Sequence, residues 1–112
     1  PAYLGVTKRH RPDRFLLSHA VDGFSLALDF RITAHNRKNL AEMLQEFDRI
    51  VLDAGGRFYF AKNSETTSAS AARFLGEDAI RQFRALKQRC DPHALLASDL
   101  YRRIFDGNGS NG

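Results

Sequence analysis

The sequence is poor in the residues that build disulfides, membrane spans and metal sites. Its 112 residues include one cysteine, one methionine and no tryptophan. Because Cys90 stands alone, an internal disulfide is excluded. No apolar run approaches the roughly 20 residues that a membrane-spanning helix needs. The HExxH, CxxC, GxSxG and P-loop spacings are missing, so we predict no metal site and none of the chemistry that those motifs mark.

What the sequence does contain is an ordinary globular composition. Hydrophobic residues make up 43% and charged residues 27%, with a net charge of +4, which excludes wholesale disorder. We predict one domain over residues 1–106, burying roughly two-thirds of its unfolded surface, and a flexible polar tail over residues 107–112. Because the chain begins with Pro1 and its only methionine, Met43, lies inside a helical pattern, we expect a trimmed or processed piece of a longer protein.

Three segments have the character of β-strands. Residues 4–9 form a short candidate strand. Residues 24–32 alternate between one apolar face and one mixed face, which carries Ser25 and Ala27, and period two is typical of a strand. The aromatic-rich residues 57–61 predict a third strand.

Helical periodicity dominates the rest. Residues 36–54 carry apolar side chains at i, i+3, i+4 and i+7, and Gly55-Gly56 follow as a C-cap. A phosphate loop is disfavoured because the glycine pair follows a helix instead of opening one. Shorter helical patterns cover residues 68–74, 79–89 and 95–105. The order predicts an α+β fold, in which a small antiparallel sheet has helices on one face, as in half of a ferredoxin-like fold, with C-terminal helices added.

Charged and titratable residues give weaker signals. A basic cluster (Lys8, Arg9, Arg11 and Arg14) suits phosphate or nucleic acid, so a small basic nucleic-acid-binding module is an alternative function. The glycine and aromatics of an RNA-binding strand are out of register, which favours a solvated basic edge. A stand-alone interaction domain that dimerises through an apolar patch is a further alternative. Cys90 is expected to be inert. The histidines at positions 10, 19, 35 and 93 fall in four segments, which favours surface or loop positions over metal ligation.

Four segments carry a recognisable pattern in a fixed order. Residues 55–63, GGRFYFAKN, are similar to a GGRxYxAKD signature, and residues 6–9 to a strand carrying Leu-Lys-Arg. Residues 17–30 look like the next strand, and residues 91–103 like a DP…SDLxRR ending. Together they span about residues 4 to 105. They resemble the C-terminal substrate domain of FAD-linked oxidoreductases of the vanillyl-alcohol-oxidase superfamily, with the decaprenylphosphoryl-ribose oxidases nearest and the aldonolactone oxidases further off.

The resemblance implies an FAD-dependent oxidoreductase that takes a hydride from a CH–OH group of a sugar or sugar alcohol. It implies that FAD is held mainly by an N-terminal FAD-binding domain absent from this chain, and that this portion caps the flavin and forms the substrate pocket. The implied partners are that domain and a small sugar or polyol, with no nucleic acid, and dimerisation through an exposed interface as an option. We expect the fragment alone to be inactive, and the whole protein to reside in the cytoplasm or at the periphery of the inner membrane.

The resemblance also implies two catalytic residues. Lys62 matches the family lysine that reaches the flavin and substrate, where a fixed positive charge would stabilise negative charge that develops on reduction. Tyr59 matches the tyrosine that lines the site. Strict alternation along a strand would place them on opposite faces, so both can serve only if the strand ends or bulges near Ala61.

The implied substrate- and cofactor-binding residues are Lys8, His10, Ser25, Ala27 and Asn63. Lys8 matches a pocket lysine, and His10 lies where relatives often carry an aromatic residue. Close relatives carry Asn at the position of Ser25, Cys at that of Ala27 and Asp at that of Asn63. These departures argue against a lipid-linked ribose as the substrate and leave the flavin role in place.

Overall fold

The computed structural model describes residues 2–62 and 65–106, which fall into two compact units. The first comprises the residues up to Arg14 together with His19–Arg57, and the second comprises Phe15–Ser18 and the residues from Phe58 onward. Within the described ranges, no helix is both long enough and apolar enough to cross a membrane. The predicted tail, residues 107–112, lies outside the described residues, and the prediction of a single domain stays a prediction.

The first unit contains a two-stranded antiparallel sheet. Strand β1 (Leu4–His10) pairs with strand β2 (Gly23–Asp29) in a register that sets Lys8 opposite Ser25. This confirms the predicted α+β class with a small antiparallel sheet. Strand β2 ends at Asp29, three residues before the predicted end. The last hydrogen bond between the two strand regions runs from the Tyr3 amide to the Asp29 carbonyl (3.0 Å).

Helix α1 (Arg37–Asp53) follows the sheet and ends in a Schellman motif. The Gly55 amide donates to the carbonyl of Leu52 (3.0 Å), and the Gly56 amide donates to the carbonyl of Val51 (2.8 Å). Gly55 has a φ of +74°, in the left-handed region, and a Cβ at Gly56 would lie only 2.6 Å from Val51 Cγ1. Each glycine is therefore required for a different reason, and the predicted C-cap is confirmed.

The predicted third strand over residues 57–61 is wrong. These residues pair with no strand in the described parts of the chain and lead into a turn at residues 60–62. The aromatic residues that suggested a strand serve packing instead, since Phe58 and Phe60 both contact the ring of Phe74 (centroid distances 5.9 and 5.5 Å). The apolar residues of this segment pack on helices and not within a sheet.

The second unit is helical and contains every fully buried apolar side chain found among the described residues. Its helices are α2 (Ser68–Leu75), α3 (Glu77–Cys90) and α4 (Asp99–Ile104). Helix α4 is shorter than predicted because Ser98 caps it, with its Oγ accepting from the Tyr101 amide at 3.1 Å. The buried core consists of Ala71, Phe74, Ile80, Ile104 and Phe105.

Candidate functional site

One face of the two-stranded sheet carries four of the predicted site residues. Residues directly opposite in an antiparallel pair share a face, and so do residues two apart on one strand. Lys8 lies opposite Ser25 and Val6 opposite Ala27, while His10 is two residues beyond Lys8. The structure therefore brings Lys8, His10, Ser25 and Ala27 together on the face that sequence alternation assigned to Ser25 and Ala27.

A hydrogen bond joins two members of this face. His10 Nε2 lies 2.7 Å from Ser25 Oγ, and both side chains are half-buried. The His10 ring also meets the ring of His19 edge to face, with centroids 5.1 Å apart and planes at 76°. Burial, with the nearby His10, lowers the pKa of His19, and Lys8 adds to this effect while Asp13 opposes it. His19 is therefore neutral near pH 7.

The contact of His19 was not predicted from the sequence, in which the histidines fall in separate segments. It forms because residues 11–18 turn back and bring His19 beside the end of β1. A separation of nine residues across a turn has no periodic signature, so no sequence signal would have found it. The described residues include no cluster of three or more metal-ligating side chains.

The two predicted catalytic residues lie in the second unit, within one turn. The Lys62 amide donates to the Tyr59 carbonyl at 3.0 Å, which closes the turn, and both side chains are exposed. The turn occupies residues 60–62, close to Ala61, and the catalytic roles of Tyr59 and Lys62 stay predictions. Asn63, the next predicted site residue, lies outside the described residues.

Asp91, at the start of the DP…SDLxRR segment, stabilises the chain where it leaves α3. Asp91 accepts hydrogen bonds from the amides of Leu95 and Leu96, each at 2.9 Å, and pairs with the ammonium of Lys87. Its bond to Lys87, with the backbone bonds, lowers the pKa of Asp91 to about 2. Lys87 lies 5.1 Å from the ring centroid of Tyr101 on α4. Asp91 and Lys87 therefore link the end of α3 to the residues that follow it and to Tyr101 on α4.

The basic cluster near the first strand is partly neutralised within the first unit. Arg9 pairs with the carboxylate of Asp22, donates to the Gly23 carbonyl at 3.0 Å, and lies 5.4 Å from the Phe24 ring centroid. Because these contacts occupy the Arg9 guanidinium and pair its charge with Asp22, Arg9 is less available to bind a phosphate. The nucleic-acid alternative gains no support from this arrangement and stays a prediction.

Comparison with known proteins agrees with the resemblance drawn from the motifs. The chain is similar to decaprenylphosphoryl-beta-D-ribose oxidase from Mycolicibacterium smegmatis, with 34% identity over 104 residues, or 92% of this chain. The chain is related to an oxidase. It spans only about a fifth, 21%, of that relative's length. No family model matches the chain.

Proposed function

We propose that this chain is the C-terminal part of an FAD-dependent oxidoreductase that oxidises a CH–OH group of a sugar or sugar alcohol. The observation that carries the proposal is the 34% identity to an oxidase over 92% of the chain. The polar face of the sheet and the Tyr59–Lys62 turn supply side chains suited to that reaction. In this proposal an N-terminal FAD-binding domain is the partner that holds most of the cofactor.

The chemistry of the exposed donors fits the edge of a flavin ring. Lys62 and Tyr59 present an ammonium and a phenol from a single turn, and 51% of Tyr59 is exposed. A fixed cation favours the negative charge that a flavin gains on reduction, and more so where water is excluded. When bound, the flavin supplies the acceptor for a two-electron oxidation. Lys62 would hold its pyrimidine edge, and Tyr59 would orient the substrate beside it.

The sheet-face residues would bind the substrate. Lys8 and Ser25, opposite each other in the ladder, offer an ammonium and a hydroxyl to the oxygens of a sugar or polyol. Ala27 is small and exposed, and so leaves room beside them. A face with short polar groups and one cation favours a compact, hydroxyl-rich substrate. We therefore propose a free sugar or polyol and not a lipid-linked one.

The test uses the full-length protein, in which this chain is joined to the rest of its polypeptide. We expect the purified protein to carry FAD and to have its flavin reduced anaerobically by one or more members of a panel of neutral sugars and polyols. Replacing Lys62 with Ala removes the cation that favours reduced flavin, and we expect flavin reduction to slow by about 100-fold. Stopped-flow absorbance of the flavin measures this directly.

A matched control separates the effect of charge in general from that of Lys62. Lys38 lies on the exposed surface of α1, where its Nζ is 4.0 Å from Glu42, and Lys38→Ala should leave the reduction rate unchanged. The proposal is contradicted if the full-length protein binds no flavin. It is also contradicted if substrate reduces the flavin of the Lys62→Ala variant at the parent rate. Stoichiometric FAD on the isolated 112-residue chain would contradict the assignment of the main flavin site to another domain.

A further inference from the structure

The hydrogen bond between His10 and Ser25 joins a hydroxyl to an imidazole on the proposed substrate-binding face. The register explains how they meet: His10 lies opposite Gly23, so Ser25 is two residues away on the same face. The Nε2–Oγ distance of 2.7 Å is that of a well-formed hydrogen bond. Ser25 is half-buried, so part of its side chain stays open to a bound molecule.

Oxidising a carbinol requires a proton acceptor as well as a hydride acceptor. As the carbon–hydrogen bond breaks, the oxygen must lose its proton to become a carbonyl, and a positioned imidazole is the side chain most often used for this. A serine hydroxyl bonded to a neutral imidazole can take a proton on its oxygen while passing its own proton to nitrogen. Such a pair removes a proton from substrate without leaving a charged serine.

We propose that Ser25 and His10 form this proton-accepting pair, with Ser25 touching the substrate hydroxyl and His10 acting through it. This inference rests on the proposed function, which supplies the flavin as the oxidant. The substrate C–H bond breaks and its two electrons leave as hydride to the flavin. The substrate O–H proton moves to Ser25 Oγ, the Ser25 proton moves to His10 Nε2, and the carbonyl double bond forms. His10 later returns its proton to water.

The groups around His10 suit this role. His19 packs edge to face on the His10 ring and so limits its rotation. Burial lowers the pKa of His19, which favours the neutral form of that ring beside His10. Lys8 lies across the ladder from Ser25, where its charge favours an oxygen that is losing a proton. Asp13 is an anionic group that acts on His19, where it opposes the lowering of the pKa.

The direction of the hydrogen bond is the first test, and it needs no turnover. Histidine-selective ¹⁵N labelling of the full-length protein, with assignment by loss of signals in His10→Gln, reports which ring nitrogen carries the proton. We expect Nε2 of neutral His10 to be unprotonated and its resonance to shift in Ser25→Ala. A protonated Nε2 in the neutral ring would overturn the proposal, because that nitrogen could accept nothing from Ser25.

The second test is the pH profile of flavin reduction by a substrate. We expect Ser25→Ala and His10→Gln each to slow reduction by about 100-fold or more, in keeping with the loss of a general base. The acidic limb of the parent's profile should vanish in both variants, because neither keeps the Ser25–His10 pair. Ser25→Thr keeps the hydroxyl and should restore most of the rate and the acidic limb. A merely structural role would lower the rate without removing that limb.

Two control variants remove the same kinds of side chain from positions outside the proposed pair. Thr7→Ala removes a hydroxyl from the opposite face of the same ladder, where Thr7 pairs with Leu26, and His35→Gln removes a histidine that lies outside both strands. Both should leave the profile unchanged. If flavin is reduced normally in Ser25→Ala and His10→Gln, this inference fails while the proposed function stands. If the full-length protein carries no flavin, the proposed function fails and the ¹⁵N result still decides the geometry.

Discussion

Asp91 shows how a residue from a segment that resembles a family motif can serve the fold. Only 9% of its side chain is exposed, and 17% of that of its partner Lys87. Its two oxygens hold the amides of Leu95 and Leu96 as well as the ammonium. Removing the charge would weaken the acceptor for all three donors, and a half-buried donor without a good acceptor is costly.

Asp91 should therefore give the protein a distinct pH dependence of stability. The pKa of Asp91 is about 2 in the folded protein and about 4 in an unfolded chain. Its stabilising contribution is complete above about pH 4 and is lost as the pH falls towards about 2. We expect Asp91→Asn to unfold at lower urea concentration than the parent near neutral pH, with the gap closing over that acid range.

Asp78→Asn is the matched control for this titration. Asp78 pairs with Arg81 on the surface of α3, where 78% of its side chain is exposed, so its loss should change little at any pH. A gap between parent and Asp91→Asn that stays constant from neutral pH to about pH 2 would contradict the assignment.

At the scale of single residues, the sequence predicts correctly which residues share a face of a strand, because periodicity determines this. Alternation alone predicts that Ser25 and Ala27 share a face, and the strand register adds Lys8 and His10 to it. The position of His19 could not be predicted, because its contact with His10 depends on the path of a turn. The site roles of these residues rest on the resemblance and stay predictions.

At the scale of elements, the glycine pair after α1 decides where the helix stops. Gly55 takes the left-handed conformation and Gly56 fits against Val51, so the chain leaves the helix in one direction. The sequence predicts this end correctly because helices commonly end at a glycine in the left-handed conformation. The prediction of a strand over residues 57–61 was wrong, since a high aromatic content does not reveal whether a partner strand exists.

A substitution at Gly55 tests this helix end. Gly55→Ala forces a Cβ into the left-handed region, and we expect it to lower the free energy of unfolding by about 1–2 kcal/mol. Gly55→Asn should cost less, because asparagine tolerates that conformation. Urea denaturation followed by circular dichroism measures both.

Gly5→Ala provides the comparison for that test. Gly5 lies in β1 without a left-handed φ, and an added Cβ would meet Leu28 at an ordinary 3.4 Å. Equal losses of stability in Gly55→Ala and Gly5→Ala would show that backbone conformation at residue 55 is not the cause.

At the scale of the whole molecule, the two units differ in how they use apolar residues. The fully buried apolar side chains in the described ranges all belong to the second unit. In the first unit, Phe24 is 71% and Leu26 63% exposed, although sequence alternation predicted a continuous apolar face there. The face exists as predicted, but no element in the described part of the first unit covers it. In this two-stranded sheet each strand is also an edge strand, with backbone N–H and C=O groups along its outer side that pair with no further strand among the described residues.

We therefore expect the isolated 112-residue chain to self-associate. Replacing both Phe24 and Leu26 with Ser should raise the dissociation constant by about tenfold or more, because two large apolar side chains no longer contribute to the interface. Sedimentation velocity over a range of protein concentrations measures this. The full-length protein, in which the proposed FAD domain is available to cover this face, should associate less.

The loop of the second unit offers a control for this double variant. Leu95 and Leu96 are 80% and 76% exposed, yet they lie in an irregular segment and not on a sheet. Leu95→Ser with Leu96→Ser should leave the dissociation constant close to that of the parent. An isolated chain that stays monomeric at every concentration would contradict the prediction.

The position of the buried core has a consequence for biosynthesis. Ribosomes release a chain from its N-terminus, so β1, β2 and α1 emerge before any of the five core residues, the first of which is Ala71. The last of them, Phe105, is added only after the whole of α4. In the proposed full-length protein the N-terminal FAD-binding domain is synthesised before all of these segments, so it is available to cover the apolar face of the sheet while the core of the second unit is still being made.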